Sequence, residues 1–242
     1  MILLHAHRGA SHAAPENTLA AFALGVAEGA DAIELDVRLS ADGVPVVFHD
    51  DALARMTGAA GKVSETPWEA LRALSVCGEP IPALADLGAF ARAHRIALNI
   101  EIKPTARPHV LTAACAPLLA ELMELVPTLV SSFDPRVLGD LARRLPSLPL
   151  ALIFEDPSAL AMLAHLPPVD LHPRHDLIDA STLPRLFDVP RAVRAWTVDE
   201  VDAARRLLAL EHPHAPGEPA VSALITNRPA HLRAALRETP TS

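Results

Sequence analysis

The chain has 242 residues, half of them hydrophobic and 3% aromatic, with 21 basic residues against 29 acidic ones for a formal net charge of -8. That length suits one barrel of roughly 250 residues, and no linker divides it, so a single domain over residues 1–242 is expected. The negative balance is opposite to the basic footprint of a nucleic-acid binder, and the two cysteines, Cys77 and Cys115, fit neither a disulfide framework nor a zinc knuckle and are expected to be buried thiols.

The opening Met1-Ile2-Leu3-Leu4 reaches His5 with no basic n-region and no apolar core of signal-peptide length. No later apolar run approaches the roughly 18 residues that cross a bilayer. A cytoplasmic protein without membrane insertion is therefore expected. Strand-like runs then recur: Ile2 to His7, Ala32 to Leu39, Val44 to His49, Ala97 to Lys103, Thr128 to Phe133, Leu150 to Phe154, Val169 to His172, Ala192 to Val198, and Val221 to Thr226. After the first of these, Leu19, Phe22, Ala23 and Val26 fall at helical spacing between Pro15 and Gly29, predicting an amphipathic helix. Strand followed by helix, repeated, argues for an α/β fold with a parallel sheet closed into a TIM-type (β/α)8 barrel.

Nine strands exceed the eight of such a barrel, and Asp42-Gly43 accounts for the surplus as a β-hairpin. Read as a two-residue type I′ turn, it sets Asp36 directly opposite His49, although Pro45 marks an edge or bulge at which the pairing can slip by a residue.

In Ile33-Glu34-Leu35-Asp36-Val37-Arg38 and again in Leu98-Asn99-Ile100-Glu101-Ile102-Lys103, apolar and polar residues alternate. With the apolar face under the helices, Glu34, Asp36 and Glu101 point into the barrel. Three inward carboxylates need a cation, since unpaired they cost several kcal/mol each or take up protons. One hard divalent ion suits them, Mg2+ ahead of Ca2+, and zinc less. The plain alternative is an internal ion-pair network with Arg38 and Lys103.

His7-Arg8-Gly9 ends the first strand at what is the C-terminal mouth of a barrel, and His49-Asp50 ends the hairpin. Such residues suit phosphodiester cleavage, with His7 and His49 as acid and base and with Arg8 and Lys103 as cations for the phosphate.

Ala6-His7-Arg8-Gly9, Pro15-Glu16-Asn17-Thr18, Glu34-Leu35-Asp36-Val37, Asp42-Gly43, His49-Asp50 and Asn99-Ile100-Glu101-Ile102-Lys103-Pro104, in that order, strongly resemble the glycerophosphodiester phosphodiesterase family, and in particular its short cytosolic bacterial members. Ser131-Ser132-Phe133, Leu171-His172 and Trp196-Thr197-Val198 extend the resemblance over nearly the whole chain. It implies a phospholipase-C-like phosphodiesterase barrel, a divalent metal on Glu34, Asp36 and Glu101, and acid-base catalysis by His7 and His49. Arg8 and Lys103 would contact phosphate, Phe133 and Trp196 would line the glycerol side, and His172 would face the pocket. The products would be sn-glycerol 3-phosphate and an alcohol, from deacylated phospholipids such as glycerophosphocholine. Residues from Asp50 to about Leu84 correspond to a short insertion over the barrel mouth.

One departure stands out. The family usually carries an acidic residue where this chain has Asn227, which either caps the last helix or supports the site. Two rival readings remain. His5 and His7 resemble the first metal motif of amidohydrolases on the same barrel, but the later strands lack that family's histidines and aspartate; a non-catalytic barrel that binds glycerophosphodiesters has no use for both histidines. Asp199-Glu200 is expected to begin a helix. The attacking oxygen is either water or the glycerol 2-hydroxyl, which would form a cyclic phosphate that water later opens.

Overall fold

The computed structural model describes residues 2–188 and 191–237, so both ends of the expected 1–242 domain fall outside the described residues. The elements that build the scaffold are β1 (Leu3–His7), α1 (Leu19–Ala27), β2 (Ala32–Leu39), β3 (Pro45–Val47), α2 (Leu87–His94), β4 (Ala97–Ile102), α3 (Pro108–Leu125), β5 (Thr128–Ser132), α4 (Pro135–Arg144), β6 (Leu150–Phe154), β7 (Asp170–Pro173), β8 (Arg194–Ala195), α5 (Val201–Leu208), β9 (Ala223–Thr226) and α6 (Pro229–Arg237). Among the described residues eight parallel strands run in the order β8-β9-β1-β2-β4-β5-β6-β7, with β3 antiparallel on β2. The parallel bridges Leu171 to Val193 and Arg174 to Trp196 join β7 to β8 and close the barrel. Around Arg194–Ala195 the pairing reaches further, with Leu171 N–H donating to Ala192 O and Val198 N–H to Ile225 O, which accounts for the longer strand expected there.

On β2, Ile33, Leu35, Val37 and Leu39 are buried against the helices while Glu34 and Asp36 occupy the opposite face, as the alternation requires. Helix α1 starts at Thr18, whose hydroxyl caps Ala21 N–H at 3.1 Å. Its buried stripe is Ala21, Phe22 and Gly25, whereas Leu19 is 39% exposed. The difference from the expected stripe is one of distance: a Cβ on Gly25 would lie 2.9 Å from Ala6 Cβ, so the helix meets β1 through its small residues.

The β2–β3 connection departs from a two-residue turn. Val37 pairs with Val47, Arg38 with Val46 and Leu39 with Pro45, so Asp36 stands opposite Phe48, not His49. Gly43 N–H donates to Ser40 O and only Gly43 of the loop has positive φ (+91°), which makes a three-residue loop with glycine in the last place. The primed two-residue turn occurs instead at Cys77-Gly78, both at positive φ, between Ser75–Val76 and Glu79–Pro80. Cys77 is therefore exposed and only Cys115 is the buried thiol expected.

From 50 to 84 the chain holds short helices and that small hairpin. Leu53, Val63, Leu71, Val76 and Ile81 pack with Val46 and Phe48 as an apolar cluster apart from the main core. No helix among the described residues is long and apolar enough to cross a membrane.

Candidate active site

Parallel register sets the central groups side by side. His7 pairs with Glu34 across β1 and β2, and Asp36 pairs with Glu101 across β2 and β4. One carboxylate oxygen from each of Glu34, Asp36 and Glu101 lies within 4.8 Å of the others, and all three residues are buried. Lys103 Nζ sits 2.6 Å from Glu101 Oε1 and 3.3 Å from Asp36 Oδ1, and Arg8 Nε 3.3 Å from Asp36 Oδ2. None of these ion pairs is aligned as a hydrogen bond, so Asp36 Oδ1 and Glu101 Oε1 have unfilled acceptor capacity.

Two cations do not balance three buried anions. Burial and the charges of Asp36 and Glu101 push the Glu34 carboxyl well above its ordinary value. Burial and Asp36 push Glu101 from 4.5 up to about 7, against the pull of Lys103. Burial would raise Asp36 too, but Lys103, Arg8 and an Asn17 hydrogen bond hold it below the carboxylate range. An oxygen-rich cluster with orphaned lone pairs and raised carboxyls fits a hard divalent cation. The ion-pair network expected as the alternative is present in part: Lys103 joins it, but Arg38 Nε donates to the His49 carbonyl at 2.6 Å instead.

Arg8 is aimed by an unusual backbone. Arg8 and Gly9 have φ of +58° and +81°, and a Cβ on Gly9 would stand 2.5 Å from the Ala21 carbonyl carbon, so only glycine fits. The turn brings Arg8 N–H to Glu34 Oε2 at 3.0 Å and Arg8 Nη1 to Glu16 Oε1 at 3.1 Å. Asn17, also left-handed at +59°, donates Nδ2–H to Asp36 Oδ2 at 2.7 Å and accepts Asp36 N–H at 3.1 Å.

Both histidines are tied at Nδ1, which leaves Nε2 for the cleft. His49 Nδ1 is 2.6 Å from Asp50 Oδ1; Asp50 accepts from Arg55, which also donates to both oxygens of Glu16. His7 Nδ1 is 2.7 Å from Asn227 Oδ1, and His7 Nε2 lies 4.0 Å from Glu34 Oε2. Burial and Arg8 lower His7 to about 4; burial, with Lys103 and Arg8, also lowers His49 although Asp36 opposes the shift.

Asn227 does not cap the last helix, whose first turn is closed by Leu232 N–H on Arg228 O. It holds His7 and is itself held by Asp199, which accepts Asn227 Nδ2–H at 2.6 Å and Asn227 N–H at 2.8 Å. Asp199 was expected merely to begin a helix; α5 starts beyond it with Glu200 as its cap residue. Neither Asp199 nor Asn17 stands out as a site residue in the sequence, because each acts through a partner distant along the chain.

These groups open onto a cavity of about 270 Å3. His7, His49, Glu34, Glu101, Arg8, Lys103, Phe133, His172 and Trp196 all line it, and Asp36 lies just beneath at 1% exposure. Phe133 and Trp196 meet edge to face at 5.6 Å, with Lys103 Nζ 5.9 Å from the Phe133 ring centre. Trp196 Nε1–H donates to the His172 carbonyl at 2.7 Å, and neither His172 ring nitrogen has a hydrogen-bond partner. His5 is buried, lowered to about 3 by burial and Arg194, and lies outside the carboxylate cluster, so the paired-histidine metal motif of an amidohydrolase does not form.

The model of the glycerophosphoryl diester phosphodiesterase family matches residues 7–231. A glycerophosphodiester phosphodiesterase of Caldanaerobacter subterraneus subsp. tengcongensis is 30% identical over 228 residues, covering 85% of this chain and 89% of that protein. Human glycerophosphodiester phosphodiesterase 1 is 34% identical over 144 residues, 55% of this chain but only 43% of the human one. Among solved structures, an Oleispira antarctica phosphodiesterase in complex with the product sn-glycerol-3-phosphate superposes with a TM-score of 0.87 at 27% identity, covering 98% of this chain and 97% of that one.

Proposed function

The chain belongs to the glycerophosphoryl diester phosphodiesterase family, and from that premise we propose that it hydrolyses glycerophosphodiesters to sn-glycerol 3-phosphate and an alcohol by two-histidine acid-base catalysis, as one domain with a short insertion at 50–84. The observation that carries this reading is the pairing of two Nδ1-anchored histidines with a buried three-carboxylate cluster on one cleft. The similar Oleispira protein is described with sn-glycerol-3-phosphate as its product, which supports the same product here.

Arg8 and Lys103 face the cleft as the cations for the non-bridging phosphate oxygens. Each has a carboxylate partner that positions it, Glu16 for Arg8 and Glu101 for Lys103. One histidine, entering as the neutral imidazole, takes the proton of the attacking oxygen on its Nε2, while the other, entering as the imidazolium, gives its Nε2 proton to the departing alkoxide, each contributing roughly 10²- to 10⁴-fold. Glu34, Asp36 and Glu101 would hold one divalent cation, Mg2+ before Ca2+, which when bound supplies the missing positive charge and polarises the phosphoryl group. The edge-to-face pair Phe133 and Trp196 gives the glycerol moiety an apolar wall, and His172 offers it a hydrogen-bonding group.

The test is direct: glycerophosphocholine incubated with the protein, in Mg2+ or in EDTA, with sn-glycerol 3-phosphate measured. Product in Mg2+ alone, lost by about 10²-fold or more in His7→Ala and in His49→Ala, is the expected result. A barrel that only binds its ligand yields no product under any metal, across several head groups, and that result ends the enzyme reading.

A further inference from the structure

Resting on the reading of His7 as a proton carrier, we propose that Asp199 is the residue that fixes which nitrogen of His7 bears the proton, acting through Asn227. Three groups converge on the Asn227 amide. On one side, His7 Nδ1 and Ser11 Oγ each lie 2.7 Å from Oδ1; on the other, Nδ2 meets Asp199 Oδ2 at 2.6 Å.

An amide has a donor end and an acceptor end, and a carboxylate only accepts. Asp199 therefore admits one orientation of Asn227, with NH2 toward itself and the carbonyl oxygen toward His7. A flipped amide would set Oδ1 against the carboxylate. The oxygen so presented needs a proton on His7 Nδ1, which leaves the Nε2 lone pair directed to the cleft.

Asp199 is itself held rigidly. Its Oδ1 accepts from Thr226 Oγ1 at 2.9 Å and from Asn227 N–H at 2.8 Å, so only Oδ2 is left to read the amide. The acidic group missing at position 227 is thus supplied one side chain further out, with an amide relaying the direction of the hydrogen bonds but not the charge. Asp199 touches neither the cleft nor the carboxylate cluster, and so is a positioning residue.

The relay makes an unusual demand on paired substitutions. In Asp199→Asn, the two N–H and O–H donors from Asn227 and Thr226 fix the new amide with its oxygen toward them. Its NH2 then faces Asn227, which turns its own oxygen outward and its NH2 to His7, favouring the Nε2–H tautomer. Asn227→Asp alone sets two carboxylates against each other. The double variant Asp199→Asn/Asn227→Asp again gives every contact a donor and an acceptor: the bond between positions 199 and 227 is reversed, and the carboxylate at 227 accepts from His7 Nδ1–H.

The experiment is 15N NMR of the His7 ring in the metal-free full chain at pH 8, alongside steady-state kinetics with Mg2+. Wild type should carry its proton on Nδ1, D199N on Nε2, and the double variant on Nδ1 again. For D199N and N227D, kcat should fall by about 100-fold with KM little changed, and the double variant should recover most of that loss. A D199N protein that keeps the Nδ1 proton and its turnover, or a double variant as impaired as the singles, overturns the proposal. An inactive wild type, or an active His7→Ala, overturns the functional reading instead and leaves the tautomer measurement standing.

Discussion

Replacing Glu101 by glutamine should make the metal-free protein more stable at alkaline pH. Glu101 is 7% exposed, and its carboxyl rises from 4.5 to about 7 through burial and the Asp36 charge. A carboxyl that holds its proton more tightly when folded contributes stability that is complete below 4.5 and is lost as pH rises through about 7. The interval from 4.5 to about 7 amounts to roughly 3 kcal/mol. Glutamine carries no charge and avoids that penalty, but forfeits the 2.6 Å ion pair with Lys103. In EDTA at pH 8 the Glu101→Gln protein should therefore gain about 1–3 kcal/mol in urea unfolding, and the gain should shrink toward pH 5. Millimolar Mg2+ should raise the Tm of the wild type and not of the variant. If Glu101→Gln is instead the less stable protein at pH 8 in EDTA, the carboxylates and Lys103 form a stabilising ion-pair network, and the argument for a cation site fails.

Two further outcomes follow from the same geometry. Because Glu34 and Glu101 hold protons up to unusually high pH, Mg2+ binding at pH 6 should expel protons and strengthen as pH rises; calorimetric heats that are identical in buffers of different ionisation enthalpy at pH 6 would contradict this. Gly9→Ala should cost at least about 3 kcal/mol, or roughly 6–12 °C in Tm, since the added carbon meets the Ala21 backbone at 2.5 Å in a left-handed conformation. Gly29→Ala, at φ +80° with nothing within 4 Å of the new carbon, should cost about 1 kcal/mol and serves as the control; equal losses in the two variants would refute the steric account.

Much of the barrel is legible because its strands are short and carry local signals. Ala32–Leu39 and Leu150–Phe154 begin and end where the apolar runs do. The charged alternation in β2 and β4 also announces inward carboxylates, and the structure does gather Glu34, Asp36 and Glu101. Loop geometry is less legible: Asp42-Gly43 serves a two-residue primed turn and a three-residue loop equally well, since both want glycine at the same place. Least legible are the residues that orient others. Asn227 lies 220 positions from His7, and Asp199 reads as an ordinary helix-starting acid until the last barrel strand brings it against Asn227.

The three-residue loop at Ala41–Gly43 governs the cleft in a way that composition does not reveal. His49 reaches its place because the number of residues between Leu39 and Pro45 sets the ribbon's register. A single insertion or deletion there would exchange the two faces of the returning strand, turning Val46 out of its apolar cluster and His49 away from the barrel. The loop should thus accept many changes of residue identity and almost no change of length, so that a segment making no contact with the cavity acts as its ruler.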